Sequence, residues 1–283
     1  MPHHRTGEWL GVAIVAAALA CGVRSNAASA ATPLSKLVTF DGLPARAGPL
    51  KMRGYLRRPP GDGRWPAVVL LHSCTHGGHD LDARWGARLA SWGYVTLTLD
   101  NLDLHNPENA CGSGPPPDFG FDVYRALNYL SRQSFVEDAN VTLMGFSQGG
   151  YLTLLSTERG LIERQAKRKF RAAIAFYPLC TGFKGVMTVP TLILIGAHDD
   201  WMPAEACRNM AEGRDDWGIS RQKGNGAPVQ LIVYPDAYHA FDIPALSSPV
   251  VYAGHRLQFD EDAARQSVTA VRRFLDRVSS ENP

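Results

Sequence analysis

The sequence predicts an α/β fold, in which helices cover both faces of a doubly wound, mostly parallel sheet. Continuous apolar runs such as 66–72 (PAVVLLH) and 191–196 (TLILIG) have the length of strands buried on both faces. Amphipathic segments alternate with these runs along the chain. The chain has 283 residues, 45% of them hydrophobic, and this is enough for one large domain with a sizeable core.

The strands and helices are predicted in the following order. An antiparallel edge hairpin is expected from 37–40 and 52–56, separated by the loop LPARAGPL. Further strands are predicted at 66–72, 94–99, 141–144, 172–178, 191–196 and 229–235. Helices are predicted at 83–92, 118–132, 151–158, 203–212 and 260–278, the last with Ala264, Val268, Val271, Phe274 and Leu275 on its apolar face.

Three long connections follow predicted strands and are expected to determine substrate specificity. They are 101–117, 179–188 and 213–227. The first contains four prolines, which exclude extended regular structure.

The N-terminus predicts a secretory signal peptide at 1–30, followed by a single domain at 31–283. Arg5 precedes the uncharged run 10–23, and the tripeptide Ala28, Ser29, Ala30 has the A-x-A form of a cleavage site. The run is short for a membrane span, so a permanent transmembrane anchor is the weaker interpretation. Acylation of Cys21, as in a lipoprotein, is also a weaker alternative. The predicted location is secreted or periplasmic.

Four cysteines remain after the signal peptide, an even number in an oxidising compartment. Three pairings are possible. We favour Cys74 with Cys111 and Cys180 with Cys207, because each pair joins neighbouring strand–helix connections. A catalytic thiol or a zinc site is disfavoured because the C-x-x-C spacing is missing, so no metal site is expected.

The charge balance is close to neutral. Lys and Arg total 29 and Asp and Glu total 27, a formal charge of +2 that gives no support to a nucleic-acid or strongly anionic partner. The basic stretch 163–171 is interpreted as a solvated helix end rather than an anion-binding patch.

The motif G-x-S-x-G, formed by Gly145, Ser147 and Gly149, carries the main chemical signal. A serine between an apolar strand and a following helix occupies a corner with strained backbone angles, and the flanking glycines allow strand and helix to approach closely. The alternative is an ordinary turn. The agreement of glycine spacing, strand and helix favours a nucleophilic serine.

Asp199 and His239 complete a candidate catalytic triad with Ser147, since each side chain follows the end of a predicted strand. The order serine, acid, histidine is expected for such a corner. His239 is predicted to accept the serine proton, and Asp199 to hold the imidazole tautomer. Asp200 is the rival acid, Asp236 and Asp242 are alternative cap or turn residues, and the alternative histidines are His72, His76, His79, His105 and His255.

An oxyanion hole is expected from two backbone N–H groups. The first donor is assigned to Gln148, the residue after the nucleophile. The second is assigned to the loop HSCTHGG, with Cys74 as first choice and Ser73 as second. A disulfide at Cys74 would hold this loop in position.

The segments PAVVLLH, GFSQGG, GAHDDWMP and YPDAYHAFD resemble the dienelactone hydrolase family of α/β-hydrolases. The likeness covers most of the chain after the signal peptide. It implies the α/β-hydrolase fold and hydrolytic activity without a cofactor. It also implies that Ser147 is the nucleophile, Asp199 the acid and His239 the base.

Three departures from the family pattern bear on the substrate. The enzyme that names the family has a cysteine nucleophile, whereas this chain has Ser147. That enzyme also has a glutamate where this chain has Ser73 and Cys74, and a substrate-binding arginine shortly after its histidine. Here Ala240, Phe241, Asp242 and Ile243 occupy those later positions. Neutral or bulky esters are therefore favoured over dienelactone.

The leading functional hypothesis is a serine hydrolase that cleaves a small-molecule carboxylic ester through an acyl-enzyme. One alternative is a peptidase of the prolyl-oligopeptidase type, although such enzymes usually carry a large accessory domain for which this chain has no room. The other is a non-catalytic binding protein on a hydrolase scaffold. The oligomeric state does not follow from the sequence.

Overall fold

The computed structural model describes Met1, His3 and residues 33–45, 48–100, 111, 119–213 and 225–280. Apart from Met1 and His3, the predicted signal peptide lies outside the described residues. So do most of the predicted loops at 101–117 and 213–227.

An eight-stranded, mostly parallel sheet forms the centre of the fold, which confirms the predicted class. Its strands are β1 Ser35–Ala45, β2 Gly48–Arg57, β3 Trp65–Leu71, β4 Val95–Leu99, β5 Val136–Phe146, β6 Ala172–Phe176, β7 Thr191–Gly196 and β8 Val229–Tyr234. Their spatial order is β1-β2-β4-β3-β5-β6-β7-β8. The β1–β2 and β2–β4 pairs are antiparallel, and the pairs from β4 to β8 are parallel.

Helices connect the parallel strands. They are α1 Gly78–Leu81, a π-helical turn Asp82–Gly86, α2 Ala87–Ser91, α3 Phe119–Leu130, α4 Gln148–Thr157, α5 Leu161–Gln165, α6 Ala204–Glu212 and α7 Glu261–Ser280. A 3-10 turn Pro244–Leu246 and a small hairpin, β9 Val250–Tyr252 with β10 His255–Leu257, lie between β8 and α7. None of the helices in the described part of the chain combines the length and the apolarity needed to cross a bilayer.

The continuous apolar runs arise because both faces of the sheet are covered. In β3, Val68 and Leu70 pack in a core with Val271 of α7. The alternating residues Val69 and Leu71 pack in a second core on the other face, which includes residues of α3. Side chains of successive strand residues point to opposite faces, so burial of both faces requires apolar residues at every position.

Several predicted boundaries differ from the structure. The strand predicted at 141–144 is longer, since β5 begins at Val136. The predicted hairpin loop LPARAGPL mostly belongs to the strands, since β1 and β2 pair as far as Ala45 opposite Gly48, across a register shift. The helical segment predicted to begin at Ala83 begins at Gly78, where a Cβ would lie 2.7 Å from the carbonyl oxygen of Leu99. The helix predicted from Tyr151 begins at Gln148. In the last two cases, glycines that indicated loops instead allow a helix to approach a strand.

The predicted apolar face of α7 is partly wrong. Val271, Phe274 and Leu275 are buried as expected. The rest of the buried stripe consists of Ala263, Ser267 and Val278, whereas Ala264 and Val268 are only partly buried. These two residues border an open cleft beside Trp85.

A buried ion pair joins the π-helical turn to β2, the second strand of the sheet. The guanidinium of Arg57 on β2 donates to both carboxylate oxygens of Asp82, with nitrogen–oxygen distances of 2.7–3.0 Å. The Asp82 side chain is 2% exposed. Removing one partner of a buried pair leaves the other charge without compensation.

We expect Asp82→Asn to lower the free energy of unfolding by about 3 kcal/mol, because Arg57 would lose its buried counter-ion. Urea denaturation measures the change. The matched control is Asp138→Asn, since Asp138 pairs with Arg64 and Arg168 at the surface, where ion pairs contribute little. Equal stability of the two variants would contradict the assignment.

Candidate active site

Ser147 occupies the corner between β5 and α4 in a strained conformation. Its backbone angles are φ 53° and ψ −112°, a region that non-glycine residues rarely adopt. The surrounding contacts require glycine on either side. A Cβ on Gly145 would lie 2.0 Å from the carbonyl oxygen of Gly149, and a Cβ on Gly149 would lie 2.3 Å from that of Leu71. The corner therefore presents the serine side chain at the carboxyl edge of the sheet.

The structure brings Ser147, His239 and Asp199 together in a continuous chain of contacts. His239 Nε2 lies 3.0 Å from Ser147 Oγ, and His239 Nδ1 lies 2.8 Å from Asp199 Oδ2. All three residues are buried, with at most 4% of their surface exposed. In the tautomer that donates Nδ1–H to Asp199, Nε2 is free to accept the serine proton.

Backbone groups hold the Asp199 carboxylate in place. Its second oxygen, Oδ1, accepts hydrogen bonds from the N–H groups of Trp201 at 3.1 Å and Met202 at 2.8 Å. The rival Asp200 points elsewhere and accepts a hydrogen bond from the N–H of Arg256 at 3.2 Å. The two adjacent aspartates thus have different partners, and Asp199 is the one that contacts His239.

The main chain of His239 is anchored to the segment that follows β10. Gln258 donates its N–H to the carbonyl of His239 at 3.1 Å, and Asp260 donates to that of Phe241 at 3.0 Å. The imidazole contacts two aromatic side chains, with ring-centroid distances of 4.7 Å to Tyr177 and 5.2 Å to Trp201. Together these contacts restrict both the backbone and the ring.

The alternative histidines have other neighbours. His72 Nδ1 lies 2.7 Å from the carbonyl oxygen of Ser73, and His76 Nδ1 lies 2.9 Å from Thr75 Oγ1. The remaining alternatives are His79, which packs edge-on against Tyr55, His255, which stacks on Trp201, and His105, which lies outside the described residues.

The two predicted oxyanion donors lie on segments that approach each other closely. Gln148 is the first residue of α4. The Cβ position of Gly149, one residue later, is 2.8 Å from the carbonyl oxygen of His72, which begins the loop that carries Ser73 and Cys74. Inside this loop, Ser73 Oγ accepts the N–H of His76 at 3.1 Å. The loop is therefore in place beside the nucleophile corner.

Disulfides link Cys74 to Cys111 and Cys180 to Cys207, the pairing favoured from the sequence. The first ties the loop after β3 to the connection after β4. The second ties the loop after β6 to α6.

Comparison with known proteins agrees with this architecture. The family model described as "Dienelactone hydrolase family" matches residues 120–279, more than half of the chain. The chain belongs to the dienelactone hydrolase family.

A curated relative of this dienelactone hydrolase family member is named a putative carboxymethylenebutenolidase of Escherichia coli strain K12. It is 25% identical over 263 residues, which cover 77% of this chain and 86% of the relative.

Solved structures show the same fold at low identity. An esterase from Thermogutta terrifontis superposes with a TM-score of 0.63 at 16% identity, covering 90% of this chain and 95% of the esterase. A dienelactone hydrolase-like promiscuous phosphotriesterase from metagenomic libraries superposes with a TM-score of 0.65 at 20% identity, covering 86% and 98%. The predicted family and the α/β-hydrolase fold are both confirmed.

The sequence analysis missed the groups that surround the histidine of this dienelactone hydrolase family member. The sequence analysis gave no role to Tyr177 or Trp201. Tyr177 directly follows β6, and Trp201 lies two residues after Asp199. Asp242, treated as an alternative cap or turn residue, is 7% exposed and accepts hydrogen bonds from three side chains. Asp236, the other such residue, is exposed as expected for a turn.

We expect Asp199→Asn to lower kcat on the order of 10⁴-fold, as the same change does in enzymes with a Ser-His-Asp triad, because an amide holds the imidazole in the wrong tautomer. Asp200→Asn is the matched control, since Asp200 contacts the backbone of Arg256. Steady-state hydrolysis of a simple aryl ester measures both. A comparable loss in the two variants would contradict the assignment of Asp199 as the acid.

Proposed function

We propose that this protein is a serine hydrolase that cleaves neutral carboxylic esters through an acyl-enzyme. The single observation that carries the proposal is the contact chain from Ser147 Oγ through His239 to Asp199, built on a strained strand-to-helix corner. Membership of a hydrolase family supports it.

In the proposed acylation step, His239 Nε2 takes the proton of Ser147 as Oγ attacks the ester carbonyl carbon. The imidazolium that forms is stabilised by Asp199. The histidine then gives the proton to the departing alkoxide, which leaves as the alcohol. Water repeats the sequence on the acyl-enzyme, releases the acid and restores Ser147.

The negative charge that develops on the carbonyl oxygen needs preorganised donors. We assign these to the N–H groups of Gln148 and Cys74. Gln148 stands at the N-terminus of α4, where the helix dipole favours negative charge. Cys74 lies on the loop that the Cys74–Cys111 disulfide restrains.

The preference for neutral esters rests on the groups that follow His239. A carboxylate substrate needs a cation near the site, and the third residue after His239 is Asp242. The guanidinium that contacts Asp242, that of Arg84, is engaged by Asp80 and Asp242, each at 2.9 Å. This arrangement favours substrates without a negative charge.

We place the protein outside the cytoplasm. Both disulfides support this location, because disulfides persist mainly in oxidising compartments. The predicted signal peptide at 1–30 agrees with it.

We expect Ser147→Ala to abolish hydrolysis of an aryl ester and covalent labelling by a fluorophosphonate, because the attacking oxygen is removed. In the unmodified protein, a burst of alcohol release before the steady state would show the acyl-enzyme. His239→Gln should cost about as much as Ser147→Ala, since members of a triad act as a unit.

Ser156→Ala is the matched control for that experiment. Ser156 is a buried serine near the C-terminal end of α4, the helix that directly follows Ser147. It should keep labelling and turnover. Retained ester hydrolysis in Ser147→Ala would refute the proposal, and faster turnover of a matching peptide amide than of the ester would favour the peptidase alternative.

The two disulfides provide a further prediction. Replacing both Cys74 and Cys111 by serine should lower kcat by about tenfold or more, because the loop that carries one oxyanion donor becomes mobile. Replacing both Cys180 and Cys207 should lower stability by about 2 to 4 kcal/mol with little change in kcat. Kinetics and thermal melts of the two variants measure these effects. Identical kinetic losses would contradict the special role of the first disulfide.

A further inference from the structure

A buried carboxylate lies behind the catalytic histidine and takes no direct part in the proposed reaction. Asp242 Oδ2 accepts hydrogen bonds from Trp85 Nε1 and from Arg84 Nη1, both at 2.9 Å. Asp242 Oδ1 accepts the hydroxyl of Tyr177 at 2.6 Å. These donors satisfy a charge that would otherwise be costly to bury.

The donors come from separate parts of the fold. Arg84 and Trp85 belong to the π-helical turn Asp82–Gly86, and Tyr177 is the first residue after β6. Asp242 itself follows His239 by three positions along the chain. The carboxylate therefore fastens the histidine loop to two elements that are themselves fixed to the sheet.

Tyr177 connects this carboxylate to the imidazole. Its ring lies against His239 at 4.7 Å between centroids, and its side chain is fully buried. Burial, together with the neighbouring Asp242 carboxylate, raises the pKa of Tyr177 well above its usual range. The phenol consequently stays protonated and remains a hydrogen-bond donor to Asp242.

The backbone at this point is strained, which indicates a specific requirement for the tyrosine position. Tyr177 has φ 37°, and Ala240, next to His239, has φ 60°. Such conformations persist only where surrounding contacts determine them. The N–H of Tyr177 donates to the carbonyl of Leu194 on β7 at 2.7 Å, and its hydroxyl is held by Asp242.

We propose that Asp242 is a positioning residue: anchored by Arg84 and Trp85, it holds the Tyr177 ring against His239 and so keeps the imidazole aligned between Asp199 and Ser147. This proposal rests on the proposed function, since it concerns the orientation of its general base. A buried ion pair is weak evidence for stability alone. Its connection to the imidazole through a strained tyrosine points to a role in alignment.

Two conservative variants test the proposal. Tyr177→Phe keeps the ring and removes the hydroxyl, whereas Asp242→Asn keeps the shape and removes the charge. We expect each to lower kcat, counted per fluorophosphonate-reactive site, by about tenfold, with KM within about twofold, because a small misalignment of a catalytic group slows the chemical step. The double variant should lose little more than either single variant, since both break the same connection.

Matched controls separate alignment from general destabilisation. Tyr124→Phe removes a buried hydroxyl that donates to the carbonyl of Ser156 at 2.7 Å, and Glu163→Gln removes a buried carboxylate of α5 that pairs with Lys169. Both controls should lose stability in thermal melts and keep kcat per reactive site. If Tyr177→Phe and Asp242→Asn behave like these controls, the proposal is wrong. If Asp242→Asn fails to fold, Tyr177→Phe still decides the outcome.

A spectroscopic measurement makes the test independent of ester turnover. The His239 Nδ1 proton, hydrogen-bonded to Asp199, should give a downfield proton NMR resonance. We expect Tyr177→Phe and Asp242→Asn to shift or broaden it, whereas Tyr124→Phe and Glu163→Gln leave it unchanged. Unchanged resonances in the first pair would overturn the proposal. An unmodified protein that cleaves no ester would count against the proposed function, while the resonance would still report on Asp242.

Discussion

The close approach of backbone to backbone at the Ser147 corner is the constraint on which the rest of the site depends. Gly145 lies against the carbonyl of Gly149, and Gly149 lies against that of Leu71, at distances that no side chain would permit. A strained conformation such as that of Ser147 costs on the order of 1–3 kcal/mol. Two main-chain hydrogen bonds stabilise this conformation. The N–H of Ser147 donates to the carbonyl of Phe176 on β6, and the N–H of Tyr151 on α4 donates to the carbonyl of Ser147. Ser147 is thus held by main-chain contacts from β3, β6 and α4.

Two buried carboxylates support the histidine in different ways. Asp199 is held by backbone N–H groups and contacts the imidazole directly. Asp242 is held by side chains from distant parts of the chain and contacts the imidazole only through Tyr177. Backbone donors need no side-chain ordering to be in place, which suits the role of acid proposed for Asp199. Side-chain donors can join separate elements, which suits a carboxylate that aligns the histidine loop.

Local patterns were sufficient to predict the fold class, the disulfide pairing that the structure contains, and the three residues Ser147, Asp199 and His239 that it brings into contact. Glycine spacing, strand ends and cysteine positions are properties of short stretches, and short stretches determine where a corner or a strand end lies. The network around Asp242 could not be found in this way. Asp242 and Trp85 are 157 positions apart, and only the tertiary fold brings them into contact.

The errors in helix prediction have the same origin. Gly78 and Gly149 have low helix propensity and therefore indicate loops. The structure nevertheless places both in the first turns of helices, because the space beside the neighbouring strand is too small for a Cβ. On α7, a periodicity argument cannot distinguish a core stripe from the residues beside it. Ala264 and Val268 border a cleft, and Ser267 is buried instead.

The two aromatic neighbours of the His239 ring differ in exposure. Tyr177 lies 4.7 Å from the imidazole, measured between ring centroids, and is fully buried in the core. Trp201, at 5.2 Å, is only partly buried, stacked on His255 of β10 and close to Tyr252 of β9. Strand β9 is exposed, with Val251 73% accessible. A substitution at Tyr177 must therefore disturb the core, whereas a substitution in β9 changes the surroundings of Trp201 without doing so.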